Sequence, residues 1–242
     1  MKRFYTLLLV LTIALTTTSY AQKGLNIGVS GSFISPSIVN QNTWGNVHEY
    51  DYKVTFSSNY GFDVGYNFTS NLGIHTGFSF YNLGQDYTDS YDDINWKRNL
   101  KFKYNVIPIM FRYTSSTENI KFIGSVGILY AMLNKAEQTW TGDGETYEAV
   151  GTTLVSNKPF DLGADDVTDR YSKTDILLNV EIGIRVETID NLFVDALLNV
   201  GYGLTDINDE DYHFEDSDGN YNASHNFFGG IKVGVAYVLF GD

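Results

Sequence analysis

Five acids and six bases fall on one beat of an apolar–polar alternation, and that shared placement decides what chemistry they can do. The acids are Asp63, Asp175, Glu181, Glu187 and Asp195; the bases are Lys101, Lys103, Arg112, Lys121, Arg185 and Lys232. The set is nearly neutral in a chain of net charge −13. Charges confined to a narrow interior must be paired or hydrated, so the balance predicts a packed ion-pair network. Counting back from the turn at 188–191 puts Arg185 opposite Phe193 and diagonal to Asp195. His75 and Ser79 share the polar beat, and Asp63 falls diagonal to His75 on the preceding segment. A hydrolase needs nucleophile, base and orienting acid within hydrogen-bond reach. Here Ser79 would be buried where no lipid substrate arrives, so no catalytic residue is assigned and His75 is expected to be a satisfied interior histidine.

A second set of ionisable residues lies off the alternation. The segments 35–58, 82–98, 134–173 and 205–225 hold 21 of the 29 Asp and Glu but seven of the 16 Lys and Arg, essentially all of the net charge. The densest stretch contains Asp206, Asp209, Glu210, Asp211, Glu215, Asp216 and Asp218 with no base among them. Aromatics such as Trp44, Tyr50, Trp96, Trp140 and Tyr147 are interspersed in the same segments. Such a surface repels nucleic acid and favours cations or basic partners. An EF-hand is excluded, because the ligand due two residues before Asp216 is Phe214. A looser surface calcium site, or divalent bridging to lipopolysaccharide phosphates, is the metal chemistry left to these carboxylates; no cofactor is assigned.

The elements that must position these residues are strands. Ile176, Leu178, Val180, Ile182, Ile184 and Val186 alternate with Asp175, Asn179, Glu181, Gly183, Arg185 and Glu187, and a period of two sends successive side chains to opposite faces. Similar alternation predicts strands at 24–34, 59–68, 72–81, 99–113, 120–133, 174–187, 192–204 and 226–240. The fourth changes phase between Leu100, Phe102, Tyr104 and Ile107, Ile109, Phe111, Tyr113, which predicts a bulge near Asn105–Pro108. Three short connections alternate with the four long segments. That is the pattern of an all-β, eight-stranded, antiparallel up-and-down transmembrane barrel with three short periplasmic turns and four long extracellular loops, both termini periplasmic.

The start of the chain agrees with this compartment. Lys2 and Arg3 precede an apolar run, Leu7 to Leu15, and Ser19-Tyr20-Ala21 has the spacing of a cleavage site, so 1–21 reads as a signal peptide and 22–242 as the barrel domain. The run is shorter than the roughly 20 residues a spanning helix needs. The chain contains no Cys, which excludes disulfides, thiolate metal sites and a lipid-modified N-terminal Cys. An aromatic content of 15% suits interfacial girdles.

Gly24-Leu25-Asn26-Ile27-Gly28-Val29, the segment Tyr104-Asn105-Val106-Ile107-Pro108-Ile109-Met110-Phe111-Arg112-Tyr113 and the ending Gly234 to Phe240 resemble the PorT-like outer-membrane β-barrel proteins of the Bacteroidetes. The resemblance implies a Gram-negative outer-membrane location and raises a role in protein secretion. It implies no enzyme activity. The expectation is a non-catalytic, monomeric barrel with a side-chain-filled lumen, in contact with outer-membrane lipid and lipopolysaccharide, whose acidic aromatic loops bind a protein or cationic ligand or serve envelope assembly. A small solute channel is the alternative, followed by a lipid-modifying enzyme.

Overall fold

In the computed structural model, residues 23–39, 51–91, 94–115, 120–143, 146–149, 152–155, 160–213 and 219–240 are described. The leader and its cleavage site, Trp44, Tyr50, Glu215, Asp216 and Asp218 lie outside these residues. The strands are β1 (Gly24–Val39), β2 (Asp51–Lys53), β3 (Ser57–Asn67), β4 (Leu72–Tyr91), β5 (Ile94–Thr114), β6 (Ile120–Asp143), β7 (Thr146–Ala149), β8 (Thr152–Val155), β9 (Phe160–Asp166), β10 (Thr174–Ile189), β11 (Leu192–Gly203) and β12 (His225–Phe240). Eight of them, β1, β3, β4, β5, β6, β10, β11 and β12, each pair antiparallel with the next, and β12 pairs with β1 to close the ring. Closure removes the sheet edges that would otherwise expose unpaired backbone in lipid. β2 adds to β4 and β9 to β6, while β7 and β8 form a separate hairpin.

The alternation sorts the side chains as the period of two requires. Phe33, Phe62, Leu198 and Ile231 on the outer face are each more than half exposed, at 56–64%, an apolar surface that a water-soluble monomer does not carry. Aromatic rings mark its margins, with Tyr60 against Phe80 (centroids 5.1 Å apart) at one end and Tyr66 and Tyr237 at the other. Cys residues introduced at Val180 and Ile182, both exposed, are expected to react with a lipid-phase probe, whereas Cys at Leu177 and Asn179, both 1% exposed, should stay silent. Equal labelling of the two pairs would contradict the inside-out arrangement.

The short connections share one end of the barrel with both chain ends, since Leu25 at the start of β1 pairs with Phe240 at the end of β12. Between β3 and β4, the backbone N–H groups of Phe68 and Thr69 donate to the Leu72 carbonyl. Between β10 and β11 the chain reverses at Asp190-Asn191, where Asn191 takes a left-handed φ of 65°, a conformation Asn tolerates better than branched residues.

Two expectations are corrected at the opposite end. The segment 82–98 is not a loop: β4 and β5 continue as a hairpin in one unbroken register from Leu72↔Tyr113 to Tyr91↔Ile94, and β6 runs on to Asp143. Above the apolar band neither strand face needs to be apolar outside, so the hydropathy signal of the strand vanishes while its pairing persists. Nor is there a bulge at Asn105–Pro108. Leu100, Phe102, Tyr104, Val106, Met110 and Arg112 all point inward on one continuous beat. The register shift opposite Lys103/Tyr104 belongs to β6, at Asn134. The apparent change of phase in β5 arises because its inward residues are apolar in the loop half and polar in the turn half.

Candidate functional site

In the turn half of the lumen, inward positions of β3, β5, β10, β11 and β12 bring six charges into an alternating chain. Asp63 Oδ1 is 3.7 Å from Lys232 Nζ, which donates to Glu181 Oε1 at 3.0 Å. Glu181 Oε2 accepts from Arg112 Nη2 at 3.3 Å, and Arg112 Nη1 reaches Asp195 Oδ2 at 3.5 Å. Asp195 then accepts two hydrogen bonds from Arg185, Nε at 2.7 Å and Nη2 at 2.8 Å. The chain contains three acids and three bases, and every interior carboxylate in it has a cationic partner. Arg185 pairs directly opposite Asp195, and Phe193 stands opposite Glu187, two residues from the expected register; a bulge between Glu187 and Ile189 lengthens the turn side.

The other predicted lumen residues separate from this chain. Lys101 and Lys103 face outward, a consequence of the continuous beat of β5, and Lys103 is 48% exposed. Lys121 is buried near the turn end with Nζ over the Phe193 ring at 5.2 Å, Arg185 lying over the same ring at 5.1 Å. Glu187 caps the turn, its Oε1 accepting from the Asn191 backbone N–H. Asp175, 1% exposed, sits toward the loop end and accepts from Thr205 Oγ1 at 2.6 Å and Asn226 Nδ2 at 2.9 Å. His75 does lie diagonal to Asp63, its ring filling the space that a Cβ on Gly65 would occupy. Its Nε2 is buried with no protein hydrogen-bond partner among the described residues. No hydrogen bond joins His75 to Ser79 or Asp63 among those residues. The small cavity His75 shares with Asn26, Asp63 and Arg112 measures about 20 Å³, room for about one water.

The loop half of the lumen is filled differently, and this the sequence did not disclose. Phe102, Tyr104, Leu83, Ile34 and Phe228 form a buried apolar cluster, capped by Val167, Tyr171 and Ile207 from the connections between strands. Phe102 meets Tyr171 edge to face at 4.6 Å. Higher still, Arg98 is buried between Tyr87 and Trp140, its Nε donating to Gln138 Oε1 at 3.0 Å. The recoverable signal was the uninterrupted run of apolar residues on the even beat of β5.

The acidic connection between β11 and β12 is knotted by one of its own carboxylates. Asp206 accepts from the backbone N–H groups of Asn208 and Ser224, from Tyr221 Oη at 2.5 Å, and lies 3.3 Å from His213 Nε2, whose ring stacks on Tyr221. Burial, and then the neighbouring Asp206 carboxylate, push the Tyr221 hydroxyl above its ordinary range. Asp209 caps the short helical turn Glu210–Tyr212 by accepting from the Asp211 N–H. Glu210 and Asp211 are exposed. Among the described residues no three acidic or histidine side chains converge on a metal position.

A closed eight-stranded ring with an apolar outer band and a filled, charge-balanced interior is the design of a small outer-membrane β-barrel. The chain belongs to the outer membrane protein beta-barrel domain family, whose model matches residues 16–209, and with that family it belongs to the Gram-negative outer membrane. Among solved structures it is similar to Neisserial surface protein A (13% identity, 91% of this chain and 100% of that one, TM-score 0.48). It is also similar to the N-terminal β-barrel domain of Pseudomonas aeruginosa OprF (11%, 89% and 99%, 0.40) and to the outer membrane protease OmpT of Escherichia coli (10%, 93% and 99%, 0.40). At such identities none of these likenesses bears on activity or ligand. No curated protein matches the chain.

Proposed function

We propose that the protein is a non-catalytic, monomeric outer-membrane barrel with a closed lumen, which displays its extended β4–β5–β6 sheet and acidic connections to the exterior for binding or envelope assembly. The observation supporting this reading is that the interior is occupied along its length, by the ion-pair chain in one half and by the Phe102–Tyr171 cluster in the other. Eight strands leave an interior about wide enough for side chains alone. Short turns characteristically lie on the periplasmic rim of such barrels, which puts both termini in the periplasm and the β4–β5 hairpin outside. The exposed carboxylates Glu210 and Asp211 suit a cationic or basic partner and disfavour nucleic acid. Protein secretion is the envelope process favoured by the PorT-like resemblance of Tyr104–Tyr113.

Reconstituted into a planar bilayer, the protein is expected to pass no steady current, and a protease site inserted at 152–155 should be cut on intact cells. A steady small-ion conductance would replace this reading with the solute-channel alternative. Cleavage only after the outer membrane is permeabilised would reverse the orientation.

A further inference from the structure

The two carboxylate oxygens of Asp206, in the connection between β11 and β12, do different work. Oδ1 is fixed by the backbone, accepting from the N–H groups of Asn208 at 3.1 Å and Ser224 at 3.0 Å. Oδ2 is the meeting point of a phenol and an imidazole: Tyr221 Oη donates to it at 2.5 Å, and His213 Nε2 lies 3.3 Å away. The two rings stack with centroids 3.9 Å apart and planes 12° from parallel, so both polar tips reach the same oxygen. The segment that carries Asp206 is anchored to the barrel, since Ile207 is 1% exposed in the loop-half cluster and Asn208 bridges to Tyr171. His213 and Asp206 nevertheless remain open to solvent, their side chains 34% and 21% exposed.

Three side chains of metal-binding type therefore converge where only protons now lie between them. Ligand atoms about 2.0–2.2 Å from one ion stand about 3 Å from each other, close to the 2.5 and 3.3 Å separations around Asp206 Oδ2. A divalent ion at that point would displace the protons that Tyr221 Oη and, in its donor tautomer, His213 Nε2 turn toward the carboxylate. The two N–H groups on Oδ1 are the outer contacts that hold such a ligand in orientation. Asn208 supplies a second, independent sign. Its Nδ2 donates to Tyr221 Oη at 2.9 Å and Ser224 Oγ at 3.1 Å, while its Oδ1 is buried without a partner among the described residues. Turned over, that amide presents Oδ1 beside Tyr221 Oη as a fourth ligand. The surroundings favour a cation as well: along 206–211 and the facing 169–173, five carboxylates stand against Arg170 and Lys173.

We propose that Asp206, His213 and Tyr221, with Asn208 as the fourth ligand, form a binding site for a divalent first-row transition ion, copper(II) being held most tightly. The donor set selects that class. Calcium and magnesium call for six or more oxygens, whereas a single carboxylate converges here and one ligand is an imidazole nitrogen. Mixed imidazole and oxygen donors suit first-row ions, among which copper(II) binds a given site most strongly. The inference narrows the cationic ligand of the proposed function, and it rests on that reading only in taking the acidic connections as a ligand-binding surface.

The untagged full chain, folded in detergent and stripped of metal, is titrated with copper(II), zinc or calcium salts, and binding is followed by calorimetry, electron paramagnetic resonance and visible absorption. One copper should bind per chain with a phenolate-to-copper charge-transfer band, zinc should compete more weakly, and calcium at the same concentration should not displace it. Tyr221→Phe should abolish the band, and His213→Ala should weaken copper binding about tenfold or more, both in barrels whose heat-modified mobility is unchanged. His225→Ala, at a histidine outside the set, should leave affinity and band intact. Absence of saturable copper binding, a band that survives Tyr221→Phe, full affinity in folded His213→Ala, loss of the site in His225→Ala, or displacement by equal calcium would overturn the proposal. Planar-bilayer recording on the same preparation keeps the two readings apart: a non-conducting barrel that binds no copper defeats this inference alone, whereas a steady conductance defeats the closed-barrel reading whether or not copper binds.

Discussion

Arg185→Ala is expected to lower the unfolding free energy by about 3–5 kcal/mol, the usual cost of removing one member of a buried pair, and less where water enters. The size follows from what is stranded. Asp195 would lose both short hydrogen bonds, at 2.7 and 2.8 Å, and keep only Arg112 at 3.5 Å. Asp195 lies in the interior, 5% exposed, where solvent screens little. Arg185→Lys should cost less than Ala, because the charge survives while the two-pronged geometry does not. Arg185→Ala/Asp195→Ala should recover part of the loss, since no lone carboxylate remains, although Arg112 then depends on Glu181 alone. The contrasting control is Lys103→Gln, at a largely exposed pair, which should change stability by no more than about 1 kcal/mol. Denaturant midpoints in detergent or lipid measure all four. An Arg185→Ala midpoint equal to the unmodified one would mean the interior is hydrated enough that the pair contributes little.

How far the residues themselves carried this picture depends on where each strand lies relative to lipid. Within the band, an outward position must be apolar, so β10 announced itself through Ile176 to Val186 and the closure of eight strands followed. Arg112, Glu181, Arg185, Asp195, Asp63 and Lys232 were all recoverable as interior charges because charge cannot face lipid. Above the band that constraint disappears. Asp86 and Lys97 can both face outward on paired strands, and the hairpin resembles a polar loop in the sequence. The same change of surroundings reversed the reading of Lys101 and Lys103. Local alternation reads Phe102 and Tyr104 as lipid-facing and the lysines as lumenal, whereas the aromatics fill the mouth and the lysines look out. Contacts from distant connections were beyond any local pattern: nothing in the spacing of Val167, Tyr171 or Ile207 shows that they cap Phe102.

The two fillings of the lumen act in series, and that arrangement makes a sharper test of closure than either alone. Ions crossing the barrel would have to pass the aromatic cluster, where Phe102 is fully buried against Tyr171, and then the Arg112 bridge between Glu181 and Asp195. Resistances in series are governed by the tighter segment. Phe102→Ala should therefore destabilise the barrel by about 3–5 kcal/mol through the cavity it leaves, yet pass no steady current, because the charged chain below remains intact. Arg112→Ala should likewise stay closed, held by the aromatic cluster above. Only the combined Phe102→Ala/Arg112→Ala variant is expected to conduct. Its current should favour cations, since removing Arg112 leaves Asp63, Glu181 and Asp195 against Lys232 and Arg185 along the path. Planar-bilayer recordings on folded protein, checked by heat-modified mobility, distinguish the outcomes. Conduction by either single variant would show that one filling alone closes the lumen and that the other is permeable. A closed double variant would place the barrier elsewhere along the barrel, with the Arg98–Trp140 layer above Phe102 as the next segment to open.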